Sequence, residues 1–130
     1  MVGGYYVEID GEPVPVDRDD WARSFSNDRH VALTSVPGHQ VSTVFLGLDH
    51  NHSRMGPPIL YETMVFVENT ADDRFTQRYP TRAAAKRGHA LVVAVFEHAD
   101  LYLIPREENF DDVVTEYCAI LAQLRDNQET

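Results

Sequence analysis

One cysteine, Cys118, stands in a chain of 130 residues; it rules out an internal disulfide and fits a reducing compartment. No apolar run approaches the roughly 20 residues that a membrane-crossing helix needs. The opening MVGGYYVEIDGEP has neither the basic start nor the long apolar segment of a secretory signal. Basic side chains are scarce as well: 11 lysines and arginines face 21 aspartates and glutamates, a formal net charge of -10. A field of that sign repels a phosphate backbone and argues against direct nucleic-acid binding. A Walker loop, a G-x-G-x-x-G fingerprint, a G-x-S-x-G elbow and a paired-cysteine metal motif are all missing. Ordinary ATP-binding, dinucleotide-binding, serine-hydrolase and structural-zinc chemistries therefore have no anchor here. The expectation is a cytoplasmic protein without membrane association.

What remains is the composition of one globular domain spanning residues 1–130, with 43% hydrophobic and 25% charged residues. Tyr5 to Ile9 and Val14 to Val16 flank Asp10-Gly11, which predicts an opening hairpin whose second strand Pro13 and Pro15 keep at an edge. Asp17 is placed to cap a short helix ending near Phe25, with Val16 stapled onto Trp21 and with Trp21, Ala22 and Phe25 on its buried side. Val31 to Val36, Val41 to Leu48 and Ile59 to Val67 read as consecutive antiparallel strands, the first two joined by a Pro37-Gly38 turn; Arg74 to Tyr79 is a further short strand.

Thr81 caps the next helix, RAAAKRGHALVVAVFEHA, although Ala90 to Phe96 taken alone also fits a strand. Leu101 to Ile104 is a short apolar segment stopped by Pro105. Asn109 then caps a long amphipathic helix in which Phe110, Val113, Val114, Tyr117, Cys118, Leu121 and Leu124 recur at helical spacing. Strands first and longer helices later point to an α+β fold: an antiparallel sheet with helices packed on one face. The apolar stripe of the last helix also makes a homodimer a reasonable expectation.

The most informative stretch is VSTVFLGLDHNHSRMGPPILYETMVFV, Val41 to Val67: two apolar strands around a long polar loop. Alternation puts Glu62 on a face with Leu60, Met64 and Phe66, where a bare carboxylate is costly and must be protonated, paired with a cation or metal-bound. Antiparallel partners have residue numbers that add to a constant, here about 110 for a loop centred near Arg54. An even sum puts Glu62 on a face with Leu48 and His50, and an odd sum puts it with Asp49 and Thr43. Both registers remain open at this level.

Three chemistries are compatible with these residues. Asp49, His50, Glu62 and His89 are suitable oxygen and nitrogen ligands for a metal that activates water, with His52 less firmly placed. Without metal, Glu62 and His50 form an acid–base pair if the carboxyl is desolvated, although a structural Glu62 bound to Arg78 or to a backbone donor is the commoner outcome. Arg74, Arg78, Arg82, Lys86 and Arg87 gather much of the scarce positive charge, and a helix starting at Thr81 offers free N–H groups to an anion beside Tyr79. The sequence specifies no cofactor.

VSTVFLGLDH (residues 41–50), PPILYETMVF (57–66) and RYPTRAAAKRGH (78–89) together resemble a family of small proteins of tailed bacteriophages and prophage regions. The family pattern falls on Ser42, Thr43, Asp49, His50, Glu62, Thr63, Arg78, Tyr79, Thr81 and His89. The resemblance implies an accessory protein acting in the host cytoplasm. The expectation is a non-enzymatic binder of a nucleotide-like phosphorylated ligand or of a host or defence protein, through Asp49, His50, Glu62, Thr63, Arg78, Tyr79, Thr81, Arg82 and His89. Its competitors are a small metal-dependent hydrolase using Asp49, His50, Glu62 and His89, and an acidic nucleic-acid mimic that inhibits a host enzyme.

Overall fold

Asp10 and Gly11 both adopt left-handed backbone, φ 54° and 80°, as a type I′ hairpin turn requires. The turn closes β1 (Tyr6–Ile9) onto β2 (Glu12–Pro15), with Val7 opposite Val14. This hairpin opens the computed structural model, which describes residues 4–26, 28–53, 55–98 and 110–129. Asp17 accepts a hydrogen bond from the Asp20 amide at 2.8 Å and so caps α1 (Arg18–Arg23) as predicted. The burial expected of that helix does not occur. None of its residues is buried, Phe25 just beyond it is half exposed, and Trp21 packs on the rings of Tyr5 and Phe25.

Four strands then form one antiparallel sheet in chain order: β3 (His30–Val36), β4 (His39–Phe45), β5 (Tyr61–Val67) and β6 (Asp73–Tyr79). The segment read as a further short strand is thus a full member of the sheet, while β1 and β2 make a separate two-stranded sheet. Alternation gives the large sheet two faces. Val36, Val41, Val65 and Phe75 lie on the inner one, against Val92, Val95 and Phe96 of α2 (Arg82–His98) and Phe110, Val114 and Cys118 of α3 (Phe110–Glu129). Ala90 to Phe96 is therefore helical, and Cys118 is a core residue as expected. Burial pushes the Cys118 thiol up to about 11, which keeps it protonated and inert.

β4 ends at Phe45, earlier than the predicted Leu48. Gly47 is the reason: its φ of 72° turns the chain, and a Cβ there would lie 2.8 Å from both Trp21 Nε1 and the Tyr6 carbonyl. Leu48 then bridges to Tyr5, which ties the opening hairpin to the main sheet. A second cluster fills that end, with Phe45, Leu60, Tyr61, Tyr79 and Ala85 packed against Tyr6 and Val31. In β6 a bulge lies between the Val65–Phe75 and Phe66–Asp73 pairs, so Arg74 and Phe75 are both buried and the Arg74 guanidinium sits 4.5 Å from the centre of the Phe110 ring. His39, which carries no pattern in the sequence, is buried edge-on against Phe96. The Leu101 to Ile104 segment and the Asn109 cap lie outside the described residues.

Candidate functional site

The β4–β5 register settles the first question. Val44 faces Glu62 and Thr43 faces Thr63, a constant sum of 106. The even register therefore holds, but β4 stops before His50 can reach the Glu62 face. His50 Nδ1 instead bonds the Leu48 carbonyl at 2.7 Å, and its amide donates to the Ile59 carbonyl at 2.9 Å. His52 is exposed, with its ring 6.5 Å from that of His50. His50 is held by these backbone contacts, and the His50–Glu62 acid–base pair is not assembled.

Glu62 resolves as a cross-strand ion pair. Arg78 stands opposite it on β6, and Arg78 Nε donates to Glu62 Oε2 at 2.9 Å on the outer face of the sheet. The carboxylate side chain is 11% exposed and its partner 48%. Of the three ways to accommodate a carboxylate among apolar neighbours, the chain uses the cation.

Asp49 has a different task. Its Oδ1 accepts the amides of Asn51 at 2.8 Å and Ile59 at 2.9 Å, so one oxygen clamps both ends of the long loop. Asn51, which sequence reasoning passed over, completes the loop: its Nδ2 donates to the carbonyls of Met55 and Pro57, each at 2.8 Å, and its Oδ1 accepts from the Ser53 amide and hydroxyl. Turn-forming Asx residues flanking a Ser and a Gly were the available signal.

The remaining predicted residues fall into two further groups. At the start of α2, Thr81 Oγ1 caps the helix by accepting the Ala84 amide at 3.1 Å. Arg82 Nη1 donates to both oxygens of Glu8 at 3.0 Å, and the Tyr61 hydroxyl donates to the same carboxylate at 2.7 Å. Burial first, and Glu8 second, hold the Tyr61 phenol far above its ordinary pKa. The anion site expected at this helix start is thus neutralised by an acidic residue from β1.

The second group is a buried polar belt between α2 and the inner sheet face. His89 Nε2 bonds Thr34 Oγ1 at 2.9 Å and His89 Nδ1 bonds Thr43 Oγ1 at 2.7 Å. Thr43 bonds Thr63 at 2.5 Å, and in the same belt Tyr79 donates to Gln77 at 3.0 Å. Each of β3, β4, β5 and β6 contributes to this belt. Burial lowers the pKa of His89 and pushes the Tyr79 phenol up to about 12, so both are neutral near pH 7. Gly88 makes the approach possible: a Cβ there would lie 2.3 Å from the Tyr79 ring. Thr34 and Gln77 were missed by the sequence reading, where inward-facing strand threonines opposite a Gly-His pair were the only hint.

The predicted site therefore separates. Thr63, Tyr79 and His89 meet on the inner face, Glu62 and Arg78 meet on the outer face, Arg82 joins Glu8, and Asp49 and His50 organise a loop. The four ligands of the metal alternative are divided among three of these places. Among the described residues no group of three or more His, Cys, Asp or Glu side chains is placed to hold a metal ion. No helix of the described residues is long and apolar enough to cross a membrane. A cavity of about 60 Å³ beside the hairpin, lined by Val7, Glu8, Ser24, Asp28, Arg29 and Phe45, has room for a couple of waters rather than a nucleotide. No family model, curated protein or solved structure matches the chain.

Proposed function

We propose that this chain is a non-enzymatic binding protein of the accessory kind that tailed phages bring into a host, and that it docks a host protein on the outer face of its four-stranded sheet. The observation that carries this reading is the fate of the candidate polar groups. Arg78, Arg82, Thr81, Asp49 and His89 are all occupied by partners within the fold, which favours a protein surface over a small phosphorylated ligand as the functional feature. On the outer face Leu33 is 53% exposed, and Val44, Met64 and Phe66 are partly exposed between Ser42, Gln40 and Thr76. An apolar patch broken by small polar residues suits recognition of another protein. The net charge of -10 selects a partner whose own docking surface is basic, as in a host enzyme that handles nucleic acid.

The test pairs two measurements. The tagged chain, incubated with host lysate at low salt, retains a basic protein that is released at about 0.5 M NaCl and is not retained by Met64→Glu, a change confined to the outer face. In thermal-shift assays, nucleotides and nucleoside diphosphates leave the melting temperature unchanged. A nucleotide shift of several degrees that disappears in Arg78→Ala would replace this reading with the phosphorylated-ligand one. Equal retention by wild type and Met64→Glu would remove the outer face from it.

A further inference from the structure

β3 and β6 are the two edges of the four-stranded sheet. β6 is blunted in the ways that edges ordinarily are: it bulges at Arg74 and carries Asp73, Arg74 and Arg78. β3 is not. Its sequence HVALTSV holds no Lys, Arg, Asp, Glu or Pro, and beyond the irregularity between His30 and Ala32 it keeps a regular register from Ala32 to Val36. The Pro37-Gly38 turn makes Val36 and His39 a pair that exchanges backbone hydrogen bonds. Val36, Thr34 and Ala32 therefore aim their N–H and C=O groups at β4, while those of Leu33 and Ser35 point away from the sheet. Among the described residues no strand pairs with that side of β3.

A stripe of α2 stands beside the same edge. His89 bonds Thr34 on β3 and Thr43 on β4, whereas Gly88 lies against Tyr79 on β6. At about 100° per residue, Lys86, Ala90, Val93 and Glu97 lie past His89, on the side turned toward β3 and away from β6. Lys86, Ala90 and Glu97 are exposed and Val93 is half-buried. We infer that two copies of the chain pair edge to edge through β3, antiparallel, about a two-fold axis through Thr34. Leu33 of each copy then exchanges both backbone hydrogen bonds with Ser35 of the other, and the sheet runs on across the dimer. Only an extended strand satisfies such outward N–H and C=O groups in series, and charge selects a second copy as its source. The α2 stripe has a cation at one end and an anion at the other, so an antiparallel copy sets Lys86 toward Glu97 of the second copy at both ends, with Ala90 and Val93 between. His89 bonds Thr34, so the axis that centres the strands also passes near the middle of the stripe. β3, with no charged side chain, is where two chains of net charge -10 meet without like charges opposed. The pairing leaves the outer face open and stands independently of the docking reading.

Sedimentation and light scattering on the full chain test this between about 5 and 300 µM. The mass rises with concentration from 14.8 kDa toward twice that value. Ser35→Pro removes an outward N–H that β4 does not use, and an edge strand tolerates proline there; the variant keeps its circular dichroism spectrum and associates at least about 10-fold more weakly. Lys86→Glu and Glu97→Lys, on exposed helix positions, each weaken association about 10-fold. Lys86→Glu and Glu97→Lys combined in one chain restore it to within about two-fold, because the stripe is then reversed at both ends. A mass fixed at 14.8 kDa throughout, a folded Ser35→Pro chain that associates like the native one, or association that neither charge reversal changes would each overturn the inference.

Discussion

Replacing Gly88 by alanine should destabilise this protein, although helix propensity alone argues the reverse. Gly88 lies inside α2, where an alanine is ordinarily worth about 1 kcal/mol more than glycine. Here the new Cβ would fall 2.3 Å from Tyr79 Cε1 and Oη and 2.4 Å from Cζ, so the ring has to move by more than about 1 Å to regain ordinary carbon contact distance. The ring has little freedom to do so. It is buried in the cluster of Phe45, Leu60, Tyr61 and Ala85, and its hydroxyl bonds Gln77. Overpacking of this kind costs about 1–3 kcal/mol, and each belt hydrogen bond lost adds about 1 kcal/mol. The expected net loss is about 1–3 kcal/mol, a fall in Tm of roughly 3–12 °C for a domain of this size. Urea unfolding of Gly88→Ala, Tyr79→Leu and the double variant measures it. With the ring shortened to leucine, the cost of Gly88→Ala should vanish or turn into the gain of about 1 kcal/mol that propensity supplies. A stabilising Gly88→Ala in the native background, or the same cost in both backgrounds, would refute the close-packing explanation.

Two further outcomes follow from the same contacts. Burial lowers the pKa of His89 and of His39 below the ordinary 6.5, and for His39 the nearby Arg74 acts in the same direction. The unfolded chain therefore binds protons that the folded one refuses; stability is fully present above about pH 6.5 and is lost as pH falls through the lowered folded values, by up to about 1.4 kcal/mol per pH unit for each histidine. Urea midpoints recorded from pH 7.5 to 5 check this, and His89→Gln should flatten the slope; a midpoint that holds steady across this range in the native chain would contradict it. Asp49→Ala leaves the Asn51 and Ile59 amides without their acceptor, costing about 1–3 kcal/mol and exposing the 51–57 loop to proteolysis. Asp49→Asn keeps an acceptor oxygen and should stay within about 1 kcal/mol of wild type, a contrast that limited proteolysis and urea titration both read.

Much of the architecture is written locally in the chain. Asp10-Gly11 allows few alternatives to its hairpin turn, Asp17 and Thr81 cap the helices they precede, and the apolar periodicity around Cys118 describes a helix wherever it is placed. Alternation in Tyr61–Val67 likewise marked Glu62 as a carboxylate needing a partner, because period two is a property of the strand alone. The identity of the partner is not local. It depends on Glu62 standing opposite Arg78 in β6 and on Gly47 turning the chain before His50 could extend the ladder. The polar belt lies still further from view: Thr34, Thr43, Thr63, Gln77, Tyr79 and His89 come together only when four strands are in register and α2 lies close enough, across a glycine, to reach them. Hydrogen bonds act over about 3 Å, so which polar groups meet is decided by how elements distant in sequence pack, while turn, cap and periodicity signals act between near neighbours and are already present in the unfolded chain.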